Sequence, residues 1–406
     1  GEARGGGRRG YCAMASSGMF ASDKGELGEL KSDLRESDGK KAKKALRRMA
    51  VLASMSASSA ASGAAHVSVL LPDVLHLMGS KDLEMKKAVY LYLAALTASS
   101  GDAATMAFNR MARDATGDED PLVRGIALRT LTSVKVESMC EGMEPAVSKS
   151  LDDRDPFVRK TAAICVAKLF DLSPEVVLNA ELIPKLLTLL GDANPHVVAN
   201  AAAALNEMQQ RAPFPVIDGL DIKAVLRLLV TLNESIEWCQ VALLDFLVCF
   251  TPKCNKDALQ ILERVAPRLN HSNSAVVLSA INVMLHSMEH IRANHPTAEE
   301  SESASLYSTR MSQPLSTLMT LPADQQYICL RNLKVIIQLH PGLMAKAGVE
   351  IFFCKYNDPS FIKMEKIEAI LALTTEENAT HVLSELKEYA VDVDVDFAGK
   401  AVRAIG

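Results

Sequence analysis

One short phrase recurs along the chain and constrains its fold more than any other feature of the sequence. An acidic or amide residue, often followed by proline, precedes a helix start and then an alanine-rich apolar run. The clear copies begin at Asp120, Asp155 and Asn194. Successive copies lie about 35 to 40 residues apart, with one longer gap, which is the period of HEAT and armadillo helix pairs. Weaker copies begin at Asp82, Asn233, Asn273, Asp324, Asp358 and Asp394.

The chemistry of the phrase explains the period. An Asp or Asn side chain can cap a helix by accepting backbone N–H groups that have no other partner, and proline suits the first helical turn. The small residues that follow let neighbouring repeats approach closely, so that a stack buries apolar faces that one repeat alone leaves exposed. Apolar residues make up 49% of the chain and aromatic residues only 5%, which favours helix packing over a β-sandwich. The sequence therefore predicts an all-α fold, a HEAT/armadillo-like right-handed α-solenoid.

The domain organisation follows from the composition along the chain. Residues 1–24 are rich in Gly, Arg and Ser, which predicts a disordered arm and leaves a transit peptide as the alternative. Residues 25–406 form the predicted solenoid trunk. The acidic, serine-rich stretch at about 294–310 falls in the longer gap between repeats, and we interpret it as a polar loop between helices. The apolar run at 401–405 is followed by no polar capping repeat, which is typical of a segment cut from a longer solenoid.

The sequence offers no catalytic or metal-binding motif. The nine histidines and eight cysteines are dispersed, and no CxxC pair, HExxH, GxSxG or Walker loop occurs. The formal net charge of −5 gives no general attraction for nucleic acid. No stretch approaches the ~20 apolar residues that a membrane span needs. We therefore expect a non-enzymatic protein with reduced cysteines, without cofactor, metal or nucleic-acid partner, that acts through its surfaces.

A dense basic run near the N-terminus is the first candidate binding surface. Helical spacing places most of its side chains on one broad face, while Ala45, Leu46, Met49 and Val51 supply the inner face. Clustered bases at a helix end can hold phosphoinositide headgroups, each adding about 1 kcal/mol near an anionic surface. The alternative is an ordinary solvated helix face. The candidate phosphoinositide-binding residues are Lys40, Lys41, Lys43, Lys44, Arg47 and Arg48.

Two further places concentrate apolar side chains near repeat junctions. Trp238 is the single tryptophan and precedes an apolar helix, so we expect it to pack in the core rather than bind a partner. Thr105, Met106 and Phe108 lie on a short helix between two repeat units. We expect Met106 in the core, whereas Phe108 is compatible with the core or with a docking surface.

Several phrases along the chain are collinear with one protein family. They include KKAVYLYL at 86–93 and DPFVRKTAAICVAKL at 155–169, with further stretches at 197–201, 272–280, 352–359 and 388–406. These phrases resemble the N-terminal trunk of the β-adaptins, the large β subunits of clathrin adaptor complexes. The resemblance extends in the same order over residues 25–406 and is far more specific than a single motif.

The resemblance implies a scaffold subunit of a heterotetrameric adaptor complex in vesicle-mediated intracellular protein transport. The implied partners are a second large adaptin, a medium subunit and a small subunit, with clathrin bound through a hinge C-terminal to residue 406. The implied location is cytoplasmic and peripheral, on the trans-Golgi network, clathrin-coated vesicles or the plasma membrane. The basic run matches the family's phosphoinositide-binding segment, and the helix with Thr105 and Phe108 matches the segment that contacts Arf-type GTPases. The runner-up is another HEAT-repeat scaffold, such as a nuclear-transport karyopherin or a phosphatase scaffold.

Overall fold

The computed structural model describes residues 23–35, 39–58, 68–97, 101–217, 220–294, 296–339 and 348–406. Every regular element in these ranges is an α-helix or a short 3-10 helix, so the predicted all-α class is confirmed. The predicted arm lies outside the described residues as far as residue 22, and the first helix begins at Asp23, two positions before the predicted start of the trunk. The chain divides into two compact units, Gly1–Leu189 (unit 1) and Leu190–Gly406 (unit 2).

The helices of unit 1 are α1 (Asp23–Arg35), α2 (Gly39–Ser58), α3 (Leu71–Leu77), α4 (Leu83–Thr97), α5 (Gly101–Gly117), α6 (Pro121–Leu131), α7 (Cys140–Leu151), α8 (Pro156–Leu172), α9 (Pro174–Asn179) and α10 (Leu182–Leu189). The helices of unit 2 are α11 (Pro195–Arg211), α12 (Ile222–Glu234), α13 (Glu237–Val248), α14 (Asn255–Val265), α15 (Ser274–Ala293), α16 (Ala298–Leu318), α17 (Ala323–Leu339), α18 (Ser360–Leu373), α19 (Ala379–Tyr389) and α20 (Val395–Ile405). Short 3-10 helices cover Glu137–Met139, Ala266–Asn270 and Val349–Phe352.

The repeated phrase forms the helix caps that the sequence predicts. Asp120, Asp155 and Asn194 have extended backbone, and each side chain accepts the backbone N–H two residues ahead, at 2.8, 2.8 and 2.9 Å. The proline after each of them begins the helix. Another aspartate, two residues before the cap, fixes the backbone of the cap residue in two of the turns. Asp118 accepts the backbone N–H of Asp120, and Asp153 accepts that of Asp155. These local bonds fix where the helices begin.

The helices that follow the phrase pack side by side and form one row in each unit. In unit 1 this first row is α2, α4, α6 and α8, and in unit 2 it is α11, α13, α15, α17, α18 and α20. The other helices lie behind it as a second row, in which α5 packs against α7 and α12 packs against α14. Two rows that share one apolar interior are the HEAT/armadillo-like solenoid arrangement expected from the period.

Ion pairs link neighbouring first-row helices at their turns. Lys86 of α4 pairs with Asp118 ahead of α6. Arg124 of α6 donates two hydrogen bonds to Asp153 ahead of α8, at 2.8 and 2.9 Å. Lys86 and Arg124 are each the fourth residue of their helix. The fourth residue of α11 is instead the buried Val198. The turns therefore neutralise the fourth-place cations of α4 and α6.

The predicted polar loop at 294–310 is wrong, because most of it is helical. Thr297, directly ahead of α16, forms a reciprocal capping box with Glu300 in its first turn, with bonds of 2.9 and 3.3 Å. Within α16, Ala304 and Met311 are buried, whereas most of the serine and glutamate side chains near its start are exposed. The polar composition of this stretch therefore conceals an amphipathic helix.

Candidate functional site

The basic run occupies the first half of α2, a first-row helix. The expected inner face is confirmed for Ala45, Leu46 and Met49, which are buried. Val51 is 56% exposed, so its expected burial is wrong. The reason is helical phase, since a rotation of about 100° per residue places Val51 on the same side as Lys44. Lys43 is half-buried, and the exposed members of the run are Lys40, Lys41, Lys44, Arg47 and Arg48.

Two members of the run face carboxylates at the start of α4. The Lys43 ammonium lies 2.6 Å from Asp82, and the Arg47 guanidinium lies 3.9 Å from Glu84. The hydrogen bond from Lys43 holds the pKa of the Asp82 carboxyl below its usual value. Lys87 donates a hydrogen bond of 2.9 Å to Glu84 and, as the largest effect, lowers the pKa of that carboxyl. Lys43 and Arg47 thus join α2 to α4, and the rest of the run lies on the exposed side of the helix.

The second candidate site lies on α5, in the second row. Thr105 is exposed, and Met106 is 57% exposed, so the expected burial of Met106 is wrong. Its neighbour Ala107 takes the buried position instead. Phe108 is half-buried against Gly142 of α7, where an added Cβ would lie 2.9 Å from the ring. Phe108 therefore supports packing, and the two candidate sites of unit 1 lie on different rows.

Trp238 is 76% exposed, so its expected packing in the core is wrong. It lies in the first turn of α13, between two residues that contact neighbouring helices. Glu237 accepts a hydrogen bond of 2.7 Å from Asn273, and the buried Cys239 places its Sγ 3.4 Å from Nδ1 of His196. The buried side of α13 begins with Cys239, one position later, which turns Trp238 outward. The spacing of the apolar residues along α13 could have predicted this outward position of Trp238 from the sequence.

The sequence analysis missed an exposed apolar rim in unit 2. Its side chains are largely exposed: Tyr356 on the turn before α18, Val391 and Val393 on the turn before α20, and Val395 at the first position of α20. These two helices pack against each other in the first row. The alternation of Val and Asp at 391–396 was the available signal, because the aspartates of such turns cap helices and leave the intervening residues outward.

Four thiols lie in surroundings that disfavour reactivity. Burial raises the pKa of Cys140, Cys165 and Cys329, and it raises that of Cys354 to about 12. Such thiols remain protonated at neutral pH and are weak nucleophiles. Over the part of the chain that the structure describes, no three His, Cys, Asp or Glu side chains are arranged to hold a metal ion. No helix in those same ranges is both long and apolar enough to span a bilayer.

Comparison with known families places the chain. A family model described as the adaptin N-terminal region matches residues 22–406. The chain belongs to the adaptin family. This adaptin is 41% identical over 397 residues to the mouse protein named AP-1 complex subunit beta-1, which covers 97% of the chain and 40% of the relative. The Dictyostelium discoideum AP-1 complex subunit beta gives the same identity and coverage. The Schizosaccharomyces pombe AP-2 complex subunit beta is 33% identical over 342 residues, 84% of the chain and 49% of the relative.

The adaptin thus spans less than half the length of these relatives. Among known structures, a homology model of the full-length AP-3 complex matches 87% of the chain and 58% of its own matched chain, with a TM-score of 0.60 and 20% identity. A crystal structure of an engineered protein matches 94% of the adaptin and 98% of its own chain, with a TM-score of 0.52 and 18% identity. At these identities the structural matches establish the fold alone.

Proposed function

We propose that this adaptin is the large β subunit of a heterotetrameric clathrin adaptor complex and serves as its structural scaffold. The observation that carries the proposal is the 41% identity, over 97% of the chain, to proteins named AP-1 complex subunit beta-1. The partners are a second large adaptin, a medium subunit and a small subunit, and clathrin binds through a hinge beyond residue 406. The complex works in vesicle-mediated protein transport, peripherally on the trans-Golgi network, coated vesicles or plasma membrane, without catalysis by this subunit.

Purification of the tagged full-length protein from its own cells tests this assignment. We expect a second large adaptin, a medium chain and a small chain in stoichiometric amounts. Recovery of a nuclear-transport GTPase or a phosphatase catalytic subunit in their place would contradict the proposal and favour another HEAT-repeat scaffold. The location of the same tagged protein, on Golgi or plasma membrane, decides which adaptor complex it serves.

The proposal includes a phosphoinositide site on the exposed side of α2. Lys40, Lys41, Lys44 and Arg48 are all exposed there. Each contributes about 1 kcal/mol at an anionic surface, and the contribution falls with salt because the Debye length is only about 8 Å at physiological ionic strength. These four residues are the ones we expect to contact the headgroup, with Lys43 and Arg47 positioning the helix.

Binding to phosphoinositide-containing vesicles at low salt tests this site. Changing all four exposed residues to Gln should weaken binding by several kcal/mol, on the order of 1 kcal/mol for each charge. The helical signal should not change, because the core side of α2 is untouched. Arg113→Gln with Lys135→Gln is the control for loss of charge elsewhere, since both residues are exposed in unit 1 outside the first-row helices. Equal binding by the fourfold variant and the parent would contradict the site.

An Arf-type GTPase contact on α5 is also part of the proposal. Thr105 and Met106 are exposed there, which leaves a surface open to a partner. Thr105→Asp should reduce capture by the GTP-loaded GTPase and leave stability unchanged, because the side chain is outside the core. Phe108→Ala is a poor test, since it also removes the packing against Gly142. Full capture by Thr105→Asp would contradict this contact.

A further inference from the structure

Charge is segregated between the two rows of unit 1. The first-row helices α2, α4, α6 and α8 contain thirteen lysines and arginines but only two acids, Glu84 and Asp171. α2 and α6 contain no acid at all. The formal net charge of the whole chain is −5, so this concentration runs against the overall composition. The basic run of α2 is therefore the edge of a larger basic face.

Arg129 of α6 and Lys168 of α8 share one face with the exposed cations of α2 because these helices begin in the same register. α4 and α6 have first-row neighbours on both sides and the second row behind them, so only one side of each is exposed. The ninth residues of α2, α4 and α6 are Arg47, Leu91 and Arg129, and all three are exposed. The thirteenth residues of α2 and α8, one turn further, are Val51 and Lys168. Neighbouring axes lie about 8–10 Å apart, so the face spans roughly 25–30 Å.

The architecture does not require this charge, as two other parts of the molecule show. The same row in unit 2 is not basic, since α13 contains Glu237 and Asp245 but no lysine or arginine. The second row of unit 1 includes α7, where Glu141 and Glu144 outnumber Lys149. The basic bias is thus specific to the first row of unit 1, which indicates a role other than stacking.

We propose that this face binds the anionic surface of a membrane through bulk charge, next to the phosphoinositide site at its α2 edge. The inference rests on the proposed adaptor function, which brings the chain to a membrane. A lipid surface fits better than an acidic protein because the cations are spread over four helices rather than gathered around a pocket. Two aliphatic side chains lie among them, Val51 at 56% and Leu91 at 55% exposed. Basic residues with aliphatic side chains between them match the boundary of charged headgroups and acyl chains.

The test uses the assembled complex and vesicles of phosphatidylcholine with about one-fifth phosphatidylserine and no phosphoinositide. The test variant is Arg129→Gln with Lys168→Gln, which leaves α2 and the turn ion pairs intact. We expect its partition onto these vesicles to fall on the order of tenfold at low salt, and the difference to shrink as salt rises. The control is again Arg113→Gln with Lys135→Gln, which removes the same charge from outside the first-row helices. We expect the control to bind like the parent.

Two outcomes would overturn the inference. Equal partition of the test and control variants would show that total charge, and not this face, governs binding. Loss of a protein partner by the test variant, with vesicle binding unchanged, would identify the face as a protein interface instead. Recovery of the other adaptor subunits is measured in parallel with the unmodified protein. Their absence would refute the proposed function, whereas their presence with equal partition would refute only the membrane face.

Discussion

A close helix contact in unit 1 involves a glycine, and its replacement tests the packing argument directly. Gly125 of α6 is buried under the ring of Phe157, the second residue of α8. A Cβ at residue 125 would meet Cε1 of Phe157 at 2.5 Å and Cδ1 at 3.0 Å. Ordinary carbon contacts are about 3.5–4.0 Å, so with alanine at this position either the Phe157 ring or one of the two helices would have to shift.

The expected free-energy change is the balance of two terms. Alanine favours a helix over glycine by about 0.5–1 kcal/mol, whereas overpacking a core contact typically costs about 1–3 kcal/mol. Gly125→Ala should therefore lower the free energy of unfolding by about 1 kcal/mol. Gly399→Ala is the matched control, because Gly399 is exposed in the middle of α20 and a Cβ there would meet nothing within 4 Å. Only the propensity term applies to it, so it should be stabilising by about 0.5–1 kcal/mol.

Urea unfolding followed by far-ultraviolet circular dichroism measures both variants. Hydrogen exchange at α6 and α8 amides locates the effect of Gly125→Ala, since the two units need not unfold in one step. A double variant, Gly125→Ala with Phe157→Leu, should recover much of the loss because the smaller side chain makes room. If Gly125→Ala were as stabilising as Gly399→Ala, the contact with Phe157 would not limit helix spacing and the reasoning would fail.

Three further changes have signs that follow from the structure. Lys366 is 1% exposed, and its ammonium lies 2.6 Å from Asp358. Asp358→Ala leaves this buried charge without its partner and should be destabilising by about 3–5 kcal/mol in urea unfolding. The double variant Asp358→Ala with Lys366→Met should be destabilised by less, because it also removes the charge. Burial disfavours the ionised form of Asp245 and so raises the pKa of this carboxyl. Above the raised pKa, the buried charge lowers the stability of the folded state. Asp245→Asn should therefore be stabilising at neutral pH, and the gain should shrink as pH falls through the raised pKa. Thr297→Ala removes the cap of α16 and should be destabilising by about 1 kcal/mol, seen as faster exchange of the first α16 amides.

The repeat predicted the first row of helices because cap chemistry is local. Asp120, Asp155 and Asn194 bind backbone groups only two residues away, so the sequence alone contains both partners. The periods of such caps also imply that the helices stack, since each apolar face needs a neighbour. The fold class was therefore accessible without any knowledge of long-range contacts.

The errors arose where composition was used in place of helical phase. Residues 294–310 contain many serines and glutamates, yet Ala304 and Met311 fall on one buried side of α16. Trp238 was expected in the core because an apolar helix follows it, and Met106 because it lies in an apolar patch between repeat units. Each instead lies one position away from its helix's buried side. A count of apolar residues does not contain this information, whereas their spacing does.

The candidate site was visible in part for a different physical reason. The basic run is contiguous in sequence, so its place on one helix could be predicted. The pairing of Lys43 with Asp82 could not, because the partner lies on another helix and nothing local specifies the contact. The wider basic face was also hidden, since Arg129 and Lys168 join the run only once the helices are known to form one row.

The repeated phrase explains how the first row of unit 1 carries this charge and remains stable. Its aspartates lie in the turns, where Asp120 and Asp155 cap helices and Asp153 holds Arg124 of the preceding helix. Most of the acidic charge thereby lies in the turns, and the helix faces between them retain cations such as Arg129. Repulsion between cations on adjacent helices is weak in water, because an axis spacing of about 8–10 Å is comparable to the Debye length of about 8 Å. An anionic surface can replace the screening ions without disturbing the helices, so the same arrangement that tolerates the charge leaves it available for binding.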